Sequence, residues 1–181
     1  MTNYMNIFRN IHIWLCVIMA SIFMTVPVSA IYDFEGIPLD TAAQGEVRGD
    51  VLTFGTYGLA APPLECAFTL PSKPVWARVY TGVWGGTERY TGWEELSVNN
   101  GVPVRRDLFG KDDRHPETLV SGYGVYWVAH DCTDQFRGGK NTVTLTTSRG
   151  QPESRIDGRA YGIFVVAVVE DAARPVTRYW I

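Results

Sequence analysis

The sequence predicts an all-β domain, an antiparallel β-sandwich, from three observations. Short runs rich in Val, Tyr, Trp, Phe and Thr recur along the chain, as expected of strands with one buried face. Turn-forming segments separate these runs, among them Pro62-Pro63, Gly85-Gly86 and Asn99-Asn100-Gly101. No window keeps the 3.6-residue apolar period of an amphipathic helix for three turns. Many short strands without intervening helices are typical of an antiparallel sandwich or barrel.

The first element is predicted to be an export signal that precedes the domain. Residues 1–30 carry one formal charge, Arg9, and an apolar run over 13–26 that ends at Pro27. A basic start, a short apolar stretch and a small residue at the cut are the pattern of a secretory signal peptide. We expect a hydrophobic signal helix, cleavage after Ala30 and a secreted or cell-surface location. The alternative is an uncleaved segment that anchors the chain in the membrane.

Removal of the signal changes the composition of the working protein. Of the 181 residues about 151 remain, and the loss of Arg9 from 16 basic residues leaves 15 against 19 acidic ones, a formal charge of −4. This mild acidity argues against a dedicated nucleic-acid binder, which needs a basic patch. The hydrophobic fraction of 46% argues against a disordered chain. We therefore expect one domain over 31–181, with no nucleic-acid partner and no membrane contact beyond the signal segment.

The remaining elements are predicted to be strands. They span residues 31–34, 51–57, 64–70, 75–84, 96–98, 119–130, 142–147, 160–169 and 176–181. In 75–84 the odd positions are small and form the predicted core face, because neighbouring residues of a strand point to opposite sides. Residues 163–169 are apolar on both faces, which predicts a central strand covered on both sides. The charged stretch 99–117 is predicted to be a surface loop.

Two cysteines, Cys66 and Cys132, remain after signal removal. Two cysteines in an exported domain favour one disulfide, and the alternative is a pair of buried free thiols. Neither cysteine belongs to a Cys-x-x-Cys pair, so a redox site or a four-thiolate zinc site is not supported.

Signals for catalysis are weak, and we expect no enzyme activity. The acidic doublets Glu94-Glu95 and Asp112-Asp113 place adjacent carboxylates on opposite sides if they lie on strands, so neither doublet forms a facing pair across a sugar. We interpret both doublets as solvated charge at strand ends or in loops. No His-Glu-x-x-His or Gly-x-Ser-x-Gly motif occurs.

The acidic residues Asp131 and Asp134 form the candidate metal site. With backbone carbonyls they could hold Ca²⁺, which prefers six to eight oxygen ligands. A turn in which the Asp side chains accept hydrogen bonds from nearby N–H groups explains the two residues equally well. We expect no other cofactor.

Aromatic residues provide the candidate binding surface. Trp76, Tyr80 and Trp84 share one strand face at roughly 7 Å between alternate residues, and Trp93 follows in a turn. Flat aromatic rows can stack on sugar rings, and they also build cores, inter-sheet packing or subunit contacts. These four residues are the candidate ligand-binding set.

Three stretches carry a family resemblance: 73–86 (KPVWARVYTGVWGG), 126–145 (YWVAHDCTDQFRGGKNTVTL) and 157–171 (DGRAYGIFVVAVVED), followed by the final Tyr-Trp-Ile. In this order they resemble the domain of unknown function family 3344 of exported proteins of methanogenic archaea. The resemblance implies a secreted or cell-surface β-sandwich of the jelly-roll or carbohydrate-binding-module kind, and it supplies no catalytic residue. Family members continue past the Tyr-Trp-Ile stretch, so it also implies a truncated C-terminus.

Together these observations predict an exported envelope protein with a structural or adhesive role. Its expected partners are glycans, or other envelope proteins that complete the C-terminal strand. The alternative function is a carbohydrate-binding module that uses the surface aromatics. A third is a fragment of a polysaccharide-active enzyme, which requires two carboxylates facing each other across a cleft.

Overall fold

The computed structural model describes residues 40–121 and 124–181, and within them it contains ten strands. These are β1 (Gln44–Ala60), β2 (Leu64–Leu70), β3 (Pro74–Trp84), β4 (Gly92–Val98), β5 (Val104–Leu108), β6 (Thr118–Ser121), β7 (Val125–Asp131), β8 (Gly139–Thr147), β9 (Ala160–Glu170) and β10 (Val176–Trp180). Single turns of 3-10 helix occupy Gly110–Asp112 and Thr133–Gln135. No helix within the described ranges is long and apolar enough to cross a membrane. The predicted signal at 1–30 and the predicted strand at 31–34 lie outside them.

The strands form two antiparallel sheets, which confirms the predicted β-sandwich. The larger sheet has the order β10-β1-β9-β3-β7-β6 and the smaller sheet the order β2-β8-β4-β5. The core lies between them, where Phe54 of β1 stacks on Phe68 of β2 with ring centroids 4.6 Å apart. Phe136 meets the same Phe68 ring edge-on at 5.4 Å. Each sheet is hydrophobic on its inner face, and packing the two together removes both faces from water.

Strand β3 follows the predicted alternation over most of its length. Ala77, Val79, Thr81 and Val83 are fully buried, as expected of the core face. Val75 is 48% exposed, so its assignment to the core was wrong. The cause is a register shift between β3 and β9 at this residue, which interrupts the alternation.

Strand β9 is central, between β1 and β3, as predicted. Its inner residues Ile163 and Val165 are fully buried. The prediction that both faces are covered was wrong at Phe164, which is 39% exposed on the outer face. The outer face of β9 is therefore covered at Val168, which is fully buried, and open to solvent at Phe164.

The stretch 99–117 is a strand and a loop rather than a loop alone. Strand β5 was missed because Arg105, Arg106 and Asp107 give it a polar sequence, and only Leu108 is fully buried. Charge is common on an edge strand, where it discourages pairing with other chains. The predicted strand 119–130 is two strands, β6 and β7, which pair as a hairpin.

Two asparagines turn the chain between β4 and β5. Asn99 and Asn100 have φ of 53° and 58°, a left-handed conformation that Asn adopts more readily than most residues. The Asn99 side chain also donates to Asn141 Oδ1 at 2.9 Å and accepts from the Thr142 backbone N–H at 3.0 Å. The turn is thereby fixed to β8.

The Asp157-Gly158-Arg159 segment, one of the stretches that carry the family resemblance, forms a corner before β9. The Asp157 carboxylate accepts hydrogen bonds from Arg159 Nε at 2.7 Å and Arg159 Nη2 at 3.1 Å, and it lies 3.2 Å from Arg149 Nη1. Gly158 has φ of 69° and donates its N–H to the Trp84 carbonyl at 2.8 Å. This corner fixes the start of β9 against the end of β3.

Candidate functional site

The four predicted ligand-binding residues lie on two different surfaces. Trp76, Tyr80 and Trp84 alternate with the buried residues of β3, so they lie on the outer face of the larger sheet, and each is half-buried. Trp93 lies in strand β4 and not in the predicted turn, and its half-buried side chain is on the outer face of the smaller sheet. The core separates these faces, so the structure brings the first three residues together but not the fourth.

The outer face of the larger sheet carries further aromatic residues that the sequence did not single out. Tyr80 pairs with Phe164 of β9. Gly82 pairs with Trp127 of β7 on one side and with Gly162 of β9 on the other, and Gly162 in turn pairs with Tyr57 of β1. Residues opposite each other in register share a face. We call this surface the aromatic face and define it by Tyr57, Trp76, Tyr80, Trp84, Trp127, Tyr161 and Phe164. Tyr57 is its most exposed member at 87%.

Glycines lie beneath two of these rings. A Cβ on Gly82 would lie 2.8 Å from Trp127 Cζ3, and a Cβ on Gly162 would lie 3.0 Å from Phe164 Cε2. A side chain at Gly82 would push the Trp127 ring away from the sheet, and a side chain at Gly162 would also clash with the Thr56 carbonyl oxygen at 2.7 Å. Glycine therefore allows both rings to lie close to the backbone. The two rings are neighbours, with centroids 5.8 Å apart and planes inclined at 44°.

A β-bulge adds Tyr161 to the aromatic face. The register between β3 and β9 shifts between Gly82 and Val83, which leaves Tyr161 as the extra residue of β9. Its ring packs edge-on against Trp84, with centroids 6.2 Å apart and planes at 88°. Strict alternation along the sequence does not reveal a bulge, so this contact could not be predicted.

One ion pair lies among the rings of the aromatic face. Arg78, between Trp76 and Tyr80 on β3, pairs in register with Asp131 of β7, and Arg78 Nε lies 2.8 Å from Asp131 Oδ1. This hydrogen bond, opposed by partial burial, raises the pKa of the Arg78 guanidinium. The pair gives an otherwise apolar surface a hydrogen-bonding group whose position is fixed.

Trp93 lines a separate cleft of about 400 Å³ on the smaller sheet, together with Phe109 and Glu153. The Arg105 guanidinium lies over the Trp93 ring, 4.7 Å from its centroid, and Arg105 Nε lies 3.0 Å from Asp107 Oδ1. The Arg105 side chain therefore already covers one side of the Trp93 ring.

Glu94 lies fully buried between the two sheets. Thr81 Oγ1 of β3 donates to the carboxylate and lies 2.9 Å from both of its oxygens, and His130 Nε2 of β7 is 2.7 Å from Oε1. This cluster joins β4 of the smaller sheet to two strands of the larger sheet. Since its carboxylate is enclosed and hydrogen-bonded, Glu94 is placed to hold the sheets together rather than to meet a substrate. Its neighbour Glu95 points to the opposite side. The prediction of solvated loop charge is wrong for Glu94, because β4 places this residue on the inner face of the smaller sheet.

A cavity of about 240 Å³ adjoins His130 and is also lined by Arg106, Glu117 and Asp131. Glu117 Oε2 lies 2.9 Å from Arg106 Nη2, and Asp131 is held by Arg78. Both carboxylates that line the cavity are thus engaged by a guanidinium.

The predicted disulfide is not formed. Cys66 and Cys132 are free thiols, and both are buried in the core between the sheets. Burial raises the pKa of the Cys66 thiol and raises that of Cys132 to about 12. An apolar core accommodates a thiol as a small hydrophobic group, which is the alternative that the sequence left open.

The predicted calcium ligands both contact cations. Asp131 pairs with Arg78, and Asp134 Oδ1 lies 3.4 Å from Lys73 Nζ with its side chain 96% exposed. Within residues 40–121 and 124–181, no group of three or more His, Cys, Asp or Glu side chains is arranged to hold a metal ion. The calcium site stays a prediction.

Comparison with known proteins gives one family and several solved structures. The family model described as "Protein of unknown function (DUF3344)" matches residues 32–181. No curated protein matches the sequence significantly. An exo-beta-1,3-galactanase from Phanerochaete chrysosporium, solved with galactose, is similar with a TM-score of 0.37 and 17% identity over 70% of this chain and 30% of that chain. CBM35 from Cellvibrio japonicus Abf62 is similar with a TM-score of 0.36 and 14% identity over 78% of this chain and 96% of that chain.

Proposed function

This chain belongs to the DUF3344 family, and we propose that it is a non-catalytic glycan-binding domain whose aromatic face stacks on sugar rings. The observation that carries the proposal is the gathering of aromatic side chains from β1, β3, β7 and β9 on one outer surface, where Tyr57 is 87% and Phe164 39% exposed. Aromatic rings offer a large apolar area with a polar edge. The C–H faces of a sugar ring are apolar and its hydroxyls project sideways, so the two surfaces are complementary.

Two features of the aromatic face support binding rather than simple packing. The glycines beneath Trp127 and Phe164 let these rings lie close to the sheet, where the two rings also pack against each other before a ligand arrives. Such preorganisation lowers the entropic cost of binding. The Arg78–Asp131 pair supplies fixed hydrogen-bonding groups, which orient a ligand on a mainly apolar surface.

The state of the carboxylates supports a non-catalytic role. Glu94 is enclosed in the core, and Glu117 and Asp131 each pair with an arginine. A glycosidase needs two carboxyl groups across a sugar, one of them acting as a proton donor. The described carboxylates near the cavity beside His130 are instead engaged in ion pairs.

Binding by the aromatic face is tested with the variants Trp127→Ala and Trp84→Ala in affinity electrophoresis and titration calorimetry against a panel of polysaccharides. Loss of one stacked ring costs about 1.4 kcal/mol, so we expect about tenfold weaker binding from either variant. The matched control is Trp93→Ala, which removes a half-buried tryptophan from the other sheet and should leave the affinity unchanged. Absence of binding to every polysaccharide, or equal losses in all three variants, would refute the proposal.

We further propose that the domain acts outside the cell, in an adhesive or structural role. The support is the signal-like pattern of residues 1–30. The N-terminus of the protein isolated from producing cells, determined by mass spectrometry, should be Ile31. A mature protein that retains Met1 inside the cell would contradict export.

A further inference from the structure

A positively charged pocket of about 300 Å³ lies where the chain passes from β5 to β6. Its lining includes the cationic side chains Arg89, Lys111 and Arg114 and the carboxylate of Asp113. These side chains carry a formal excess of two positive charges in a chain whose net charge is −3. A concave, locally positive site in an acidic protein concentrates anions.

Hydrogen bonds within the loop fix Arg114, one of the cations of this pocket. The Asp113 carboxylate accepts the backbone N–H groups of Phe109 and His115, each at 3.0 Å, which holds the loop in a turn. Arg114 Nη1 donates to the Lys111 carbonyl at 3.1 Å and to the Asp113 carbonyl at 3.0 Å. A guanidinium held by backbone carbonyls keeps its charge in place and retains other N–H groups for a ligand.

A buried hydroxyl in the lining of the pocket has no partner. Thr118 is 4% exposed, and its Oγ1 makes no hydrogen bond in the described structure. An unsatisfied buried polar group costs about 1–3 kcal/mol, so such groups call for an explanation. Thr118 lines the pocket, and a ligand oxygen that reached its hydroxyl would accept the hydrogen bond that this group can donate.

The pocket borders the aromatic face. Leu119, which lines the pocket, pairs in register with Trp127 across β6 and β7. Residues paired in register lie about 5 Å apart. A polymer stacked on Trp127 can therefore extend over β6 and place a substituent in the pocket.

We propose that this pocket binds an oxyanion carried by the glycan, either the carboxylate of an acidic sugar or a sulfate ester, so that the ligands of the aromatic face are acidic polysaccharides. The sugar part of this inference rests on the proposed function, whereas the oxyanion site does not. Lys111 and Arg114 supply the charge, and Thr118 supplies a neutral donor.

The test uses pairs of polymers that share a backbone and differ in charge. Titration calorimetry of the full chain compares dextran sulfate with dextran, and polygalacturonate with its methyl ester. The charged member of at least one pair should bind at least tenfold more tightly, and the pair that shows the difference identifies the oxyanion. Inorganic sulfate is titrated separately as the free anion.

Three variants separate the pocket from general charge effects. Lys111→Gln should weaken binding of the charged polymer at least fivefold, while Lys140→Gln, which removes the same charge from an exposed position on β8, should leave it unchanged. Thr118→Val has nearly the same shape and removes the unpaired hydroxyl. It should weaken binding of the charged polymer while the melting temperature stays the same or rises.

The outcomes distinguish this inference from the proposed function. Equal binding of charged and neutral polymers overturns the oxyanion pocket and leaves glycan binding intact. Equal losses in Lys111→Gln and Lys140→Gln also overturn the pocket, because the preference is then nonspecific attraction. Binding of inorganic sulfate that is lost in Lys111→Gln, without binding of any polymer, supports the pocket and refutes the proposed function.

Discussion

At the scale of single residues, the most telling contact is the one between Thr81 and Glu94. Burying a carboxylate away from water costs free energy unless hydrogen-bond donors surround it. Thr81 Oγ1 and His130 Nε2 are the side-chain groups that the structure places within 3 Å of this carboxylate. The stability of the sandwich should therefore depend on a hydroxyl that the sequence shows only as one more strand threonine.

Thr81→Val tests this dependence. The substitution keeps the shape and removes the donor, so the free energy of unfolding should fall by about 1–3 kcal/mol in urea denaturation at pH 7. The matched control is Thr53→Val, an exposed threonine on β1, which should change stability by less than about 0.5 kcal/mol. Equal effects of the two substitutions would contradict a special role for Thr81.

The two buried thiols give a second prediction at this scale. Burial keeps Cys66 and Cys132 protonated and shields them from reagents, since the thiolate is the reactive form. Peptide mapping after iodoacetamide treatment should show little labelling of either cysteine in the native protein and full labelling in guanidinium chloride. Rapid native labelling, or a peptide that links the two cysteines, would show that the core is not as described.

At the scale of elements, the corner formed by Asp157, Gly158 and Arg159 is the clearest electrostatic feature. Partial burial acts to raise the pKa of Asp157, but hydrogen bonds from Arg159 and the charges of Arg159 and Arg149 hold it below its ordinary value. A carboxyl whose pKa is lower in the folded state stabilises the protein above its unfolded pKa. That stabilisation is lost as the pH falls through the folded pKa.

Asp157→Asn should therefore lower the free energy of unfolding at pH 7 by about 1 kcal/mol. The difference from the wild-type protein should shrink below pH 4, where the unfolded carboxyl becomes protonated, and vanish at still lower pH. Denaturation curves collected across this range measure the difference. Asp134→Asn, which changes an exposed carboxylate, is the control and should show no such trend. A difference that persists at low pH would mean that the corner is held by packing instead.

At the scale of the whole molecule, the strand order predicts where the protein opens first. β9 lies between two long strands and its inner face is fully buried, whereas β10 pairs with β1 over residues 44–48 and ends the larger sheet. Local opening is easiest where few contacts must break. Amide hydrogen exchange should be slowest in β9 and β3 and faster in β10 and β6. Protection of β10 equal to that of β9 would indicate that a further element covers this edge.

Sequence patterns predicted most of this architecture because strand alternation is a local property. The bounds of β2 were predicted to the residue, and β3 and β9 nearly so. β5 was missed because most of its residues are charged and Leu108 is its one fully buried residue. The burial of Leu108 depends on tertiary packing, which the local sequence does not show. The split between β6 and β7 was missed because strand-forming residues lie on both sides of the break, Leu119 and Val120 before it and Val125 and Tyr126 after it.

The candidate site was predicted less completely than the fold, for a physical reason. Trp76, Tyr80 and Trp84 share a face because they alternate along one strand, and this much can be read from sequence. The neighbours Trp127 and Phe164 come from other strands, and their places follow from register, which one sequence does not specify. Trp93 alternates just as well on β4, but no local signal tells that β4 belongs to the other sheet.

The pairing of β1 with β10 has a mechanical consequence. Ile181 donates its N–H to the Ala43 carbonyl at 2.9 Å, so the points where the chain enters and leaves the described sandwich lie side by side. The antiparallel ladder runs inward from this point, from Gln44 opposite Trp180 to Arg48 opposite Val176. A force that pulls these two points apart loads the residue pairs of the β1–β10 ladder one after another, and not all at once in shear. Under tension β10 therefore separates from β1 first, while the aromatic face on the central strands stays intact.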